Sequence, residues 1–323
     1  LHKQLTKSKT LFISPDGELN RIPFSALKIS NDKFLTENYK IRILSTAREL
    51  IDLQKENSPK YSQSLVVANP DFSLLGSLKK EDDYKISTMP QRRSFDLNKI
   101  TWSALPGTKI EGESVAKLLN SELLVQGKAS ALEIQKRISP KILHIASHAF
   151  YLEKQYENKS LNNKENFSNQ KNKSNFNKYD NPLLRSGIVL AGANKAILNT
   201  SDDGYLTALE VTKLNWKNTE LVVVSGCESG KGDIKSGEGV YGLKRAIAVA
   251  GARSSLLSLW KVDDKATASF MENYYLKLKR GEGRAEALAN AQKEFRIHPI
   301  KAWRHPYVWA AFQLSGDWRP IDF

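Results

Sequence analysis

The chain has 323 residues, 40% of them apolar and 26% charged, with one cysteine and a formal net charge of +14. That make-up suits a soluble globular protein with a sizeable core and excludes a membrane span, since no run approaches ~18 apolar residues. Leu1 to Thr10 lacks the apolar stretch of a signal peptide, and a lone cysteine excludes an internal disulfide framework and suits a reducing cytoplasm. A sequence opening on Leu rather than Met is expected to be a piece of a longer chain.

The opening reads as two short strands, Leu11 to Ile13 and Glu18 to Phe24, around a Ser14-Pro15-Asp16-Gly17 turn. Buried strands are expected at Ser64 to Ala68, Ile142 to Ala146, Gly187 to Leu190, Leu221 to Val224 and Ser254 to Trp260. Several are rich in Val, Ile and Leu, as parallel strands covered on both faces should be. Helical spacing of apolar residues runs over Gly112 to Asn120, Ala131 to Ile138, Gly239 to Ala250, Lys265 to Lys279 and Arg284 to Arg296. Strands alternating with helices imply βαβ units and a mostly parallel sheet. Lys79 to Asn98, charged and carrying Pro90, reads as a long surface loop. Glu153 to Asn181 is dominated by Asn, Lys, Ser and Glu and reads as a mobile insertion, because it can bury too little to offset its ordering entropy. Lysine is scattered along the chain rather than packed into a run with aromatics, so the charge is read as surface lysine. A nucleic-acid binder would betray itself by a steep salt dependence.

Two strand ends carry the chemistry. Leu221-Val222-Val223-Val224 runs through Ser225-Gly226 into Cys227, followed by a glycine-rich turn. In parallel sheets reactive groups sit just past the carboxyl ends of the strands. A structural cysteine would lie more naturally inside the apolar run. The residues alone leave both readings open. Ile142 to Ala146 likewise runs through Ser147 into His148. His144, on one face with Ala146, is read as a core or supporting histidine bonded to backbone. If the two strands are neighbours, His148 meets Cys227 as a base meets its nucleophile.

These motifs, His144-Ile145-Ala146-Ser147-His148-Ala149 and Ser225-Gly226-Cys227-Glu228-Ser229-Gly230, resemble those of the CHAT proteases, caspase-like domains often attached to TPR repeats. The likeness spans nearly the whole chain. It takes in Ser14-Pro15-Asp16-Gly17-Glu18-Leu19, Leu105-Pro106-Gly107-Thr108, Asn181-Pro182-Leu183-Leu184-Arg185, Gly237-Glu238-Gly239 and Ser258-Leu259-Trp260-Lys261-Val262-Asp263-Asp264. The resemblance implies an α/β fold of the caspase-like three-layer sandwich type, with a separase-like N-terminal portion over residues 1–100 and the catalytic portion over 101–323. It implies a cysteine endopeptidase working through a thioester with no cofactor and no metal, Cys227 as nucleophile and His148 as base. Its partners would be a protein substrate and an activating protein or upstream TPR-type region. Backbone N–H groups of Cys227 and Ala149 would hold the oxyanion, each contributing about 2.7–4 kcal/mol. Ala149 stands where the family usually has Gly; at positive φ an L side chain would cost roughly 1 kcal/mol. By likeness to separases, Asp264, or else Asp263, would receive an Arg or Lys before the cleaved bond. The same two acids suit an N-cap and first-turn position ahead of Lys265, and both readings stand. Glu210 and Glu238 fit helix starts. His2, His298 and His305 lack ligand spacing with Cys227, so no zinc site is expected. The competing function is a catalytically weak scaffold that keeps the fold and binds partners.

Overall fold

The computed structural model describes residues 9–31, 33–54, 61–74, 97, 100–152, 182–195, 202–226 and 237–323. The expected insertion at 153–181 lies outside them, as does the expected loop at 79–98 apart from Leu97, which is buried.

The elements in chain order are β1 (Thr10–Ile13), β2 (Lys28–Ser30), β3 (Lys33–Phe34), β4 (Lys40–Ile43), β5 (Leu65–Pro70), α1 (Gly107–Leu119), β6 (Glu122–Gln126), β7 (Ile142–Ala146) and β8 (Ala149–Tyr151). They continue with β9 (Ser186–Val189), β10 (Tyr205–Thr207), β11 (Leu221–Val224), α2 (Gly237–Val249), β12 (Ser254–Ser258), α3 (Asp264–Lys279), α4 (Arg284–Arg296) and β13 (Phe312–Gly316). Shorter helical turns fill several connections.

Eight strands form one sheet in the order β1-β4-β13-β12-β11-β7-β5-β6, and strands from before and after residue 100 share it. Every neighbouring pair is parallel except β12 with β13. The expected mostly parallel α/β sandwich is therefore the fold. Its three layers follow from strand alternation. Val66, Ile142, Leu221, Val223 and Leu256 face α1, α3 and α4. Leu65, Val67, Leu143, Ile145, Val222, Val224 and Leu257 face α2 and the short helix Ala208–Val211. All of β7 and β11 is buried, which is why both read as unbroken apolar runs. A second, antiparallel sheet, β10-β9-β8, starts after Ser147 and His148, the two residues that follow β7.

Two expectations need correction. Glu18 to Phe24 is not a strand: a 3-10 turn covers Gly17–Arg21 and another Phe24–Ala26. The Asp16 carboxylate accepts from the Gly17 N–H at 2.9 Å, and Asn20 Nδ2 donates to the Pro15 and Gly17 carbonyls. Side chains that bond locally to backbone compete with a strand ladder. Also, α1 begins at Gly107 rather than Gly112. Gly112 lies inside the helix, where a Cβ would come 2.4 Å from the Ala68 Cβ, so the glycine lets α1 lie close on β5.

Candidate active site

β7 and β11 are adjacent and parallel, with Ile145 paired to Val224. Each strand exits toward the same sheet edge. His148 stands three residues beyond Ile145, and Cys227 three beyond Val224. Past the ladder the two exits stay together: the Ser225 N–H donates to the Ile145 carbonyl at 3.1 Å. At Gly226 an added Cβ would lie 1.1 Å from the Ser147 carbonyl oxygen, so only glycine passes there. Cys227 itself falls outside the described residues.

His148 is fully buried. Its Nε2 lies 2.8 Å from the Ser103 carbonyl oxygen. A carbonyl can only accept, so Nε2 carries the proton and Nδ1 is the basic nitrogen of the neutral ring. Phe72 and Trp102 flank the imidazole at ring centroid distances of 5.1 and 5.3 Å. Trp102 is anchored in turn by Nε1 donating to the Tyr205 hydroxyl at 2.9 Å. Sequence reasoning missed Ser103, Phe72, Trp102 and Tyr205. The only signal near them was the Leu105-Pro106-Gly107-Thr108 motif just downstream.

Ala149 opens β8 opposite Ile188. The Val189 N–H donates to the His148 carbonyl and the Leu152 N–H to the Arg185 carbonyl, so hydrogen-bonded pairs alternate and Ala149 sits in a non-bonded pair. Its N–H therefore points away from β9, toward the side of β8 that pairs with no strand among the described residues. Its φ is not positive, so the methyl group brings no left-handed strain.

His144 is a core residue, as expected, but its partners are side chains rather than backbone. Its Nδ1 lies 3.1 Å from the Tyr275 hydroxyl. Its Nε2 lies 3.0 Å from Glu111 Oε1 without the alignment of a hydrogen bond. Burial, then the charges of Tyr274 and Glu111, push the Tyr275 phenol well above its ordinary range. This buried cluster ties β7 to α1 and α3.

Asp263 is the N-cap of α3, its carboxylate accepting from the Lys265 and Ala266 N–H groups at 3.1 and 3.0 Å. Asp264 is half-buried in the first turn. Burial raises its carboxyl above the usual range, offset in part by the Gly107 N–H that bonds it. A Cβ at Gly107 would come 2.2 Å from the Asp264 Cβ, so the start of α1 closes directly on this acid. Residues 103–107 thus touch both His148 and Asp264. Glu210 forms a capping box with Thr207, in keeping with its reading as a helix-start acid. The Glu238 side chain is outside the described residues. Among the described residues no group of three His, Cys, Asp or Glu could hold a metal, and no helix is long and apolar enough to cross a membrane.

The CHAT domain family model matches residues 1–317. Human tetratricopeptide repeat protein 28 is 26% identical over 96% of this chain, and its mouse counterpart 24%. The chain spans 12% of the length of each. Among solved structures, the Saccharomyces cerevisiae separase–securin complex aligns with 97% of this chain and 15% of that one (TM-score 0.48, 14% identity). The Arg-specific cysteine proteinase gingipain R aligns with 92% of this chain and 58% of its own (TM-score 0.47, 8% identity).

Proposed function

We propose that this chain, which belongs to the CHAT domain family, is a cysteine endopeptidase acting on a protein substrate through Cys227 and His148. The observation that carries the reading is the paired exit of β7 and β11, which brings both residues off neighbouring strands in one register, with His148 already fixed in one tautomer. In the reaction Cys227, as thiolate, attacks the scissile carbonyl. The protonated His148 gives its Nδ1 proton to the leaving amine, and a thioester remains. Water then attacks the thioester with His148 Nδ1 taking its proton; the C–S bond breaks, releasing the acid and restoring the thiolate beside protonated His148. The N–H groups of Ala149 and Cys227 receive the oxyanion. The direction of the Ala149 N–H and its unstrained backbone both suit that role.

Asp264 is the acid we assign to a P1 Arg or Lys. Asp263 spends its carboxylate on the helix cap, whereas Asp264 is held half-desolvated, where an arriving cation would be strongly favoured. Cleavage is regulatory rather than digestive. An upstream TPR-type region or an activating protein completes the regulation, in keeping with relatives named for tetratricopeptide repeats. The single cysteine fits the reducing cytoplasm.

The test uses fluorogenic peptides ending in Arg, Lys, Asp or Leu, with Cys227→Ala and His148→Ala beside the parent. Cleavage after Arg or Lys that disappears in both variants is the expected result. A peptidyl electrophile that labels Cys227 no faster than a free thiol would favour the scaffold instead.

A further inference from the structure

Asn194 lies in the short 3-10 turn Ala193–Lys195, a segment with no part in the mechanism above. Both ends of its side-chain amide bond to one residue. Oδ1 accepts from the Trp102 N–H at 2.7 Å, and Nδ2 donates to the Trp102 carbonyl at 2.8 Å. Its backbone N–H donates to the Phe72 carbonyl at 2.8 Å. Phe72 and Trp102 are the two rings that flank His148. One asparagine therefore fastens both chain segments around the imidazole.

The consequence falls on Ser103, the next residue after Trp102. Residues 100–106 belong to no strand, so no ladder sets the height of this segment over the imidazole. The Asn194 amide substitutes for a strand partner: it pairs with the N–H and C=O of one residue as a neighbouring strand would. Trp102 is buried, so these backbone groups would otherwise stand unpaired away from water. We infer that Asn194 is the positioning residue of the base: it registers the Ser103 carbonyl against His148 Nε2 and so keeps Nδ1 as the proton acceptor. This rests on the reading of Cys227 and His148 as a working pair.

The single cysteine makes the test unambiguous, because alkylation by iodoacetamide reports only Cys227. The rate is followed against pH in the parent, His148→Ala, Asn194→Ala and Asn194→Ser, with melting temperature recorded for each. In the parent an imidazolium neighbour holds the thiolate well below the free-thiol midpoint of about 8.5. The expected result for Asn194→Ala is a rate about tenfold lower at pH 7, with the midpoint moved toward that of His148→Ala. At pH 10 all rates should converge, because the thiol is ionised in every variant. Asn194→Ser, whose hydroxyl can meet one of the two Trp102 groups, should fall between, and it decides the matter should the alanine variant fail to fold. If His148→Ala shifts the profile and neither Asn194 variant does, melting temperature alone changing, the inference is overturned and the pair stands. If His148→Ala leaves the parent profile unchanged, both are overturned.

Discussion

The two ends of the central sheet treat polar groups in opposite ways. At the amino ends of β11 and β12, and the far end of β13, charges are paired in excess. Asp317 meets Arg253 at 2.8 Å, Arg319 at 2.8 Å and Arg284 at 3.3 Å, while Glu220 holds Arg284 and lies 3.6 Å from Arg253. Burial pushes the Asp317 carboxyl up, but the Arg319 hydrogen bonds, the Arg284 charge and Arg253 outweigh it and hold the group well below the usual carboxylate range. At the carboxyl ends of β7 and β11 the contacts run to uncharged backbone: Ser147 Oγ donates to the Val189 carbonyl and the Ser225 N–H to the Ile145 carbonyl. His148 Nε2 donates to the Ser103 carbonyl, and the Ala149 N–H faces away from its ladder. Fixed geometry comes from the charged end, and the proposed chemistry belongs to the other. Stability and activity should therefore be separable by mutation.

The widest separation is expected from Cys227→Ala, which should lower peptide hydrolysis by about a thousandfold or more while leaving the thermal midpoint in place. Asp317→Asn should do the reverse. Buried Arg284 and half-buried Arg253 are then left to share Glu220 alone, which costs about 3 kcal/mol in urea unfolding, with Cys227 alkylation of the folded protein unchanged. The sign with pH follows from the depressed carboxyl. The stability lent by Asp317 is present above about pH 4 and lost as pH falls toward its native titration, so the parent should lose more stability there than Asp317→Asn does.

Gly226→Ala joins the two behaviours. Its Cβ would force the Ser147 carbonyl and the β11 exit apart, and a cost of about 1–3 kcal/mol is expected together with slower alkylation of Cys227 at pH 7. The smallest effect concerns Lys244 on α2, buried with Nζ 2.7 Å from Asn20 Oδ1. Burial lowers its ammonium to about 8, against the pull of Glu49. The unfolded lysine titrates near 10.4, so the native state binds fewer protons between about pH 8 and 10 and gains stability as pH rises through that window. Lys244→Met should remove a slope of about 1 kcal/mol per pH unit, read from unfolding at pH 8.5 and 9.5.

The sheet was legible because its middle strands are buried on both faces. Ile142–Ala146 and Leu221–Val224 have the bounds their apolar runs predict. The proposed base, His148, was legible because a histidine sits where a parallel strand ends. The groups that hold it were not. Ser103 contributes a carbonyl, which every residue owns, and Asn194 acts on backbone across a long stretch of chain, so neither leaves a periodic or compositional trace. The turn at Gly17–Arg21 was misread as the start of a strand because nothing in the local pattern tells that the Asn20 side chain closes back on the Pro15 and Gly17 carbonyls. His144 was placed correctly in the core, but its partners Glu111 and Tyr275 come from helices whose approach no local pattern specifies.

The reversal of β13 has a kinetic consequence. β4 has β1 on one side and β13 on the other, and Ile43 pairs with Ser315. The earliest strands of this sequence therefore have no place in the sheet until nearly all of it has been synthesised. Their docking closes the largest loop in the fold, the kind of contact whose entropy makes folding slow. During translation β5, β6, β7, β11 and β12 can assemble in turn, while β1 and β4 wait with their backbone edges open for the strand that will clasp them.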